Sequence, residues 1–145
     1  MQVFISHAQA DEKIARELRA QLAEAGVKVW LADEEVLLGE NLSLEVGKAL
    51  ERSEAMVVLL SPAAIESKNV CSEIAYAFAS PRFEGRLLPV VVKPTKDIPW
   101  FLKTLDLIQA RSAQTHAVKQ VAEKIVAALA HDPARGELVA EHSQV

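Results

Sequence analysis

Short β-branched runs alternate with stretches of helical period along this chain. Val3–Ile5 is apolar throughout and predicts a first strand. Glu12–Ala25 predicts a helix, with Ile14, Leu18, Leu22 and Ala25 at helical spacing and acids leading its first turn. Gly26 follows, where a left-handed cap is expected. Val27–Leu31 predicts a second strand, 32–41 a loop, and Leu42–Arg52 a helix with Val46, Ala49 and Leu50 inward. Ala55–Leu60 is uninterrupted and apolar, as a central strand buried on both faces should be, and Ser61-Pro62 ends it. A loop to Lys68 leads into a helix from Asn69 to Ala79 with Val70, Ile74, Ala77 and Phe78 inward. Leu87–Val92 predicts a fourth strand whose Pro89 points to a sheet margin. Pro94 and Pro99 bracket a loop, Leu105–Gln109 is the candidate fifth strand, and His116–Ala130 is amphipathic through Val118, Val121, Ala122, Ile125 and Leu129.

Strands that alternate with helices imply an α/β fold: a parallel sheet covered on both faces. Beyond His131 the periodicity is lost around Pro133 and Gly136. The domain is therefore expected to span 1–130, with 131–145 a tail or the start of a linker. A length of 145 residues suits one domain with its own core. No apolar run exceeds six residues, so no membrane span is expected. The start of the chain lacks a basic stretch before its apolar residues, so no signal peptide is expected. A single cysteine, Cys71, excludes an intrachain disulfide and suits a reducing cytosol. The residue itself reads as a small packing side chain. Net charge is −4 with no cationic cluster, which argues against a nucleic-acid partner.

Several familiar chemistries fall away. The five glycines form neither GxGxxG nor a phosphate-cradling loop, and no serine lies in GxSxG. His7, His116, His131 and His142 have no zinc-like spacing to one another or to Cys71, so no metal site is expected. A phosphoacceptor domain would need carboxylates at the ends of the first and third strands, which here carry Ser6-His7 and Ser61-Pro62. In an open doubly wound sheet, ligands bind beyond the strands' carboxyl ends where strand order reverses. If the first strand lies between the second and third, that crevice falls between Ser6-His7-Ala8 and Ser61-Pro62. Glu73, read in the first turn of its helix, would face the crevice with its charge favoured by the helix dipole. Periodicity does not supply the strand order. His7 reads as a polar loop residue and Trp30 as core at a strand end.

Phe4-Ile5-Ser6-His7, Val29-Trp30-Leu31-Ala32-Asp33, and Gly39 followed by Leu42 closely resemble the opening, second strand and BB loop of TIR (Toll/interleukin-1 receptor) domains of bacterial type. Ala49 to Ser53, Val57 to Pro62 and Ser67 to Ile74 continue the resemblance in order, from about residue 2 to 130. It implies a flavodoxin-like three-layer sandwich with a five-stranded parallel sheet of order 2-1-3-4-5. For enzymatic members it implies an NAD⁺ glycohydrolase in which NAD⁺ is substrate and no cofactor is needed. The family's catalytic glutamate falls on Glu73, and Ser6, His7, Ala8, Trp30, Asp33, Ser61 and Asn69 are the residues expected to line the substrate. Asn69 stands where the family usually has tryptophan, and Trp30 or Phe4 are the aromatics that could replace it. The loop residues Val36, Leu37, Leu38 and Gly39 are implied as a surface for homotypic head-to-tail assembly, with other TIR or sensor domains as further partners. A cytoplasmic role in bacterial antiviral defence or signalling follows from the resemblance. So does the alternative of a non-catalytic adaptor that acts by TIR–TIR contact alone.

Overall fold

The computed structural model of the protein describes residues 1–31, 42–110 and 114–130. Five parallel strands form one sheet of order β2-β1-β3-β4-β5. They are β1 (Gln2–Ser6), β2 (Lys28–Leu31), β3 (Ala55–Leu60), β4 (Leu87–Val91) and β5 (Ile108–Gln109). The helices are α1 (Glu12–Glu24), α2 (Leu42–Arg52), α3 (Pro62–Glu66), α4 (Lys68–Ala79), α5 (Trp100–Lys103) and α6 (Thr115–Ala130). This strand order is the flavodoxin-like one, with its reversal between β1 and β3.

Strand alternation divides the core in two. Val3, Ile5, Val57 and Leu59 face α1 and α6, where Leu18, Leu22, Val121 and Ile125 meet them. Phe4, Met56, Val58 and Leu60 face the other side, against Leu50, Val70, Ile74 and Leu102. All six residues of β3 are buried, which explains its unbroken apolar run. Gly26 has φ +86°, the left-handed conformation expected at the end of α1, and it ends the helix one residue before β2 can begin its approach. Ala25, read as part of the apolar stripe, is the exposed cap residue of that helix instead. The C-terminal carbonyls of α2 accept from Arg82, whose Nη2 lies 2.6 Å from the Leu50 oxygen.

Other expectations are corrected by the structure as well. The stretch after Ser61 is the helix α3, because Ser61 caps it and Pro62 opens it at a position where a missing N–H costs nothing. The helix α4 begins at Lys68, with Ser67 as its cap, so Glu73 lies in the second turn and outside the reach of the first-turn dipole. Phe78, expected inward, is 52% exposed; the buried stripe of α4 runs through Val70, Ile74 and Ala77, and Phe78 lies beside it against Phe101 at 4.7 Å. Cys71, read as a packing residue, is exposed. Pro89 lies inside β4 in register with Val58. Val92 N–H donates to Leu60 O on the β3 side, so alternation turns the Pro89 nitrogen towards β5, whose pairing starts only at Val90. Pro89 therefore sits at a local margin of the sheet, left open by the short fifth strand.

Candidate functional site

The carboxyl ends of β1 and β3 carry serines that are 1% and 0% exposed. A buried hydroxyl must find partners. Ser6, on the same sheet face as Phe4, points towards α4 and donates to Glu73 Oε1 at 2.6 Å. That bond spans 67 residues of sequence. It fixes a half-buried carboxylate at the point where the strand order reverses, and a charge-assisted bond of this length is among the stronger kinds. The turn of α4 is what brings it there: Val70, Ile74 and Ala77 pack down on the sheet and leave Glu73 along the rim of that buried stripe.

Ser61 serves differently. Its Oγ accepts the Ala64 N–H at 3.1 Å, the cap of α3, and donates to Asp11 Oδ2. One donor and two lone pairs satisfy both roles. Asp11 is 2% exposed and ends the 3₁₀ turn Gln9–Asp11. Its other oxygen lies 3.2 Å from Lys93 Nζ, an ion pair without the directionality of a hydrogen bond. Lys93 follows β4, so residues after β1, β3 and β4 meet at one edge. Sequence reasoning missed both Asp11 and Lys93. The acid preceding α1 reads as an ordinary helix start, and nothing local to Lys93 announces a partner 82 residues away.

The remaining expected residues are distributed around this edge. Ala8 is buried, and His7 is half-buried with Nδ1 2.9 Å from the Ala8 carbonyl oxygen, a contact that requires the hydrogen on Nδ1. Trp30 is half-buried, not fully core, and stacks on Phe4 at 5.2 Å between ring centres and 17° between planes. Asn69 is exposed, one turn before Glu73 along α4. Asp33 and the loop residues Val36, Leu37, Leu38 and Gly39 lie outside the described residues. Thus Ser6 and Glu73 are joined directly, whereas Ser61 is engaged with Asp11. Among the described residues no cluster of His, Cys, Asp and Glu could hold a metal ion, and no helix is long and apolar enough to cross a membrane.

A five-stranded parallel sheet of order 2-1-3-4-5, with a serine-tethered carboxylate at its switch point, places the protein in the flavodoxin-like α/β class. Residues 3–131 match the TIR domain family, and the chain belongs to it. Over 126 residues it is 29% identical to the probable 2′ cyclic ADP-D-ribose synthase TcpO of Methanobrevibacter olleyae, covering 86% of this chain and 37% of that protein. It is 27% identical over 126 residues to the 2′ cyclic ADP-D-ribose synthase BtTIR of Bacteroides thetaiotaomicron, covering 84% and 44%. The chain therefore spans less than half the length of these relatives. Among solved structures, a metazoan TIR-STING receptor from C. gigas superposes with a TM-score of 0.68 at 27% identity, over 83% of this chain and 38% of that one.

Proposed function

We propose that this domain cleaves the nicotinamide–ribose bond of NAD⁺, with Glu73 as the catalytic carboxylate. The observation that carries the reading is the Ser6–Glu73 hydrogen bond of 2.6 Å at the switch point of the sheet. The names of its relatives give a product class, cyclic ADP-ribose, and NAD⁺ is the substrate the family resemblance implies.

A single carboxylate suffices for this reaction. Ordinary glycosidases protonate a departing alkoxide and need a second acid. The nicotinamide of NAD⁺ is cationic while bonded and leaves as a neutral molecule, taking the bonding electron pair. The ribose is left as an oxocarbenium-like cation, and a fixed anion stabilises it. Ser6 holds one carboxylate oxygen, so the side chain does not reorganise as charge develops. Trp30, backed by Phe4 on the same sheet face, offers its ring to the nicotinamide in the role the family gives to the residue at Asn69. His7 and Ala8 complete the rim of the proposed site, and Ser61, buried against Asp11, supports it from behind.

The cation is then captured by an oxygen nucleophile. Water gives ADP-ribose and a proton; a hydroxyl of the same molecule gives a cyclic ADP-ribose and a proton. The names of both curated relatives favour the cyclic product. The test is incubation of concentrated protein with NAD⁺, following nicotinamide and separating the two products. Release of nicotinamide supports the reading. An unchanged NAD⁺ pool leaves the adaptor function, which the exposed Asn69 in the usual tryptophan position favours.

Assembly through Val36, Leu37, Leu38 and Gly39 is part of the same proposal. Docking of one loop on a different face of the next copy is a heterologous contact that propagates. Leu38→Asp is expected to keep the fold, seen by circular dichroism, while light scattering reports monomers and nicotinamide release falls about tenfold or more, the scale of losing one interface hot spot. A fully active monomer would contradict the assembly proposal.

A further inference from the structure

Asp11 occupies the cap position of α1, yet its side chain makes no cap hydrogen bond. Capping is the usual employment of an aspartate there. This carboxylate turns instead across the sheet edge, 2% exposed, to accept from Ser61 and to face Lys93 Nζ at 3.2 Å. Burying a carboxylate is costly unless its partners are well placed, so the arrangement calls for a use.

The bonds around it form a closed circuit. Asp11 N–H donates to Ala8 O at 2.9 Å, close behind Ser6 in the chain. Ser61 Oγ, held by Asp11, receives Ala64 N–H at 3.1 Å. Ala64 O in turn receives Ser67 N–H at 3.1 Å, and Ser67 Oγ receives Val70 N–H at 3.2 Å to open α4. From Val70 the helix leads to Glu73, and Glu73 returns to Ser6. Each link fixes the start of the next element. Lys93 joins the exit of β4 to the same ring.

We infer that Asp11, with Lys93 as its counter-ion, is a positioning residue that sets the Glu73 carboxylate against Ser6. This rests on the proposed NAD⁺ cleavage only for its catalytic consequence. Asp11→Asn keeps the shape but removes the charge that holds Lys93 and draws the Ser61 hydroxyl. Lys93→Met removes the counter-ion from a half-exposed position and leaves the buried residues in place, whereas Lys93→Arg preserves the pair.

The experiment has two readouts on the whole chain. The first is the carboxyl ¹³C resonance of Glu73 at neutral pH, assigned with Glu73→Gln. It is expected to move in Asp11→Asn and Lys93→Met and to stay in place in Lys93→Arg, whether or not the protein cleaves NAD⁺. The second is nicotinamide release. Asp11→Asn and Lys93→Met are expected to lower kcat about 10- to 100-fold with KM within about twofold, as a small misplacement of a reacting group does. Lys93→Arg is expected to retain wild-type turnover. A wild type without activity defeats the NAD⁺ reading and leaves the resonance to decide the positioning role. An unmoved Glu73 resonance in folded Lys93→Met overturns the inference. So does a rise in KM with kcat unchanged. If Asp11→Asn does not fold, the two lysine variants carry the test.

Discussion

Glu73→Gln is expected to lower the turnover of NAD⁺ by about 100- to 1000-fold, the range seen when one preorganised electrostatic contact to a transition state is lost. Glutamine has the shape of glutamate and its carbonyl oxygen can still accept from Ser6, so the substitution removes charge and little else. The oxocarbenium-like ribose loses its fixed anion, while the groups that hold the remainder of NAD⁺ are untouched. KM should therefore change much less than kcat, which is the pattern of an interaction made only in the transition state. Stability should fall by about 1 kcal/mol, because a charge-assisted hydrogen bond is exchanged for a neutral one. Nicotinamide release and thermal unfolding measured on the same sample separate these effects. Wild-type turnover in Glu73→Gln would remove the residue from the chemistry.

Leu59→Ala is expected to destabilise the domain by about 2–5 kcal/mol. Leu59 is fully buried in the central strand and faces the core formed with α1 and α6. Both lost transfer energy and an unfilled cavity contribute, because flanking strands on either side limit collapse of the site. Against a typical net stability of about 5–15 kcal/mol, that is a large share. The melting temperature should drop by roughly 7–16 °C for a chain of this size. Phe78→Ser is the informative comparison. An inward Phe78 would cost as much as Leu59, but at 52% exposure it should cost about 1 kcal/mol or less. Equal destabilisation by the two variants would contradict the assigned face of α4.

What the linear pattern could disclose was whatever depends on period and on caps. The strands β1 to β4 and the long helices α1, α2, α4 and α6 follow their apolar spacing to within two residues. The family resemblance supplied the strand order that periodicity could not, and the parallel sheet has that order. Short elements escaped: α3 has five residues and α5 four, too few for a period to register. Phe78 was misplaced because an apolar residue next to a buried stripe satisfies the same spacing as one within it. At the site, a motif singles out Glu73 and the strand end places Ser6 at the same crevice, but nothing in the sequence discloses the hydrogen bond between them. Ser6 lies 67 residues away and only the crossover of β1 and α4 brings the two together. Asp11 and Lys93 were invisible for the same reason, since each is unremarkable locally and their meeting depends on three strand ends converging.

The most direct test of the central claim is a structure of Glu73→Gln saturated with NAD⁺. The account predicts the nicotinamide ribose at the carboxyl edge between β1 and β3, its hydroxyls or anomeric carbon within contact of residue 73, with the nicotinamide against Trp30. NAD⁺ bound elsewhere on the domain, or a carboxyl edge still filled only by solvent at saturating NAD⁺, would contradict it.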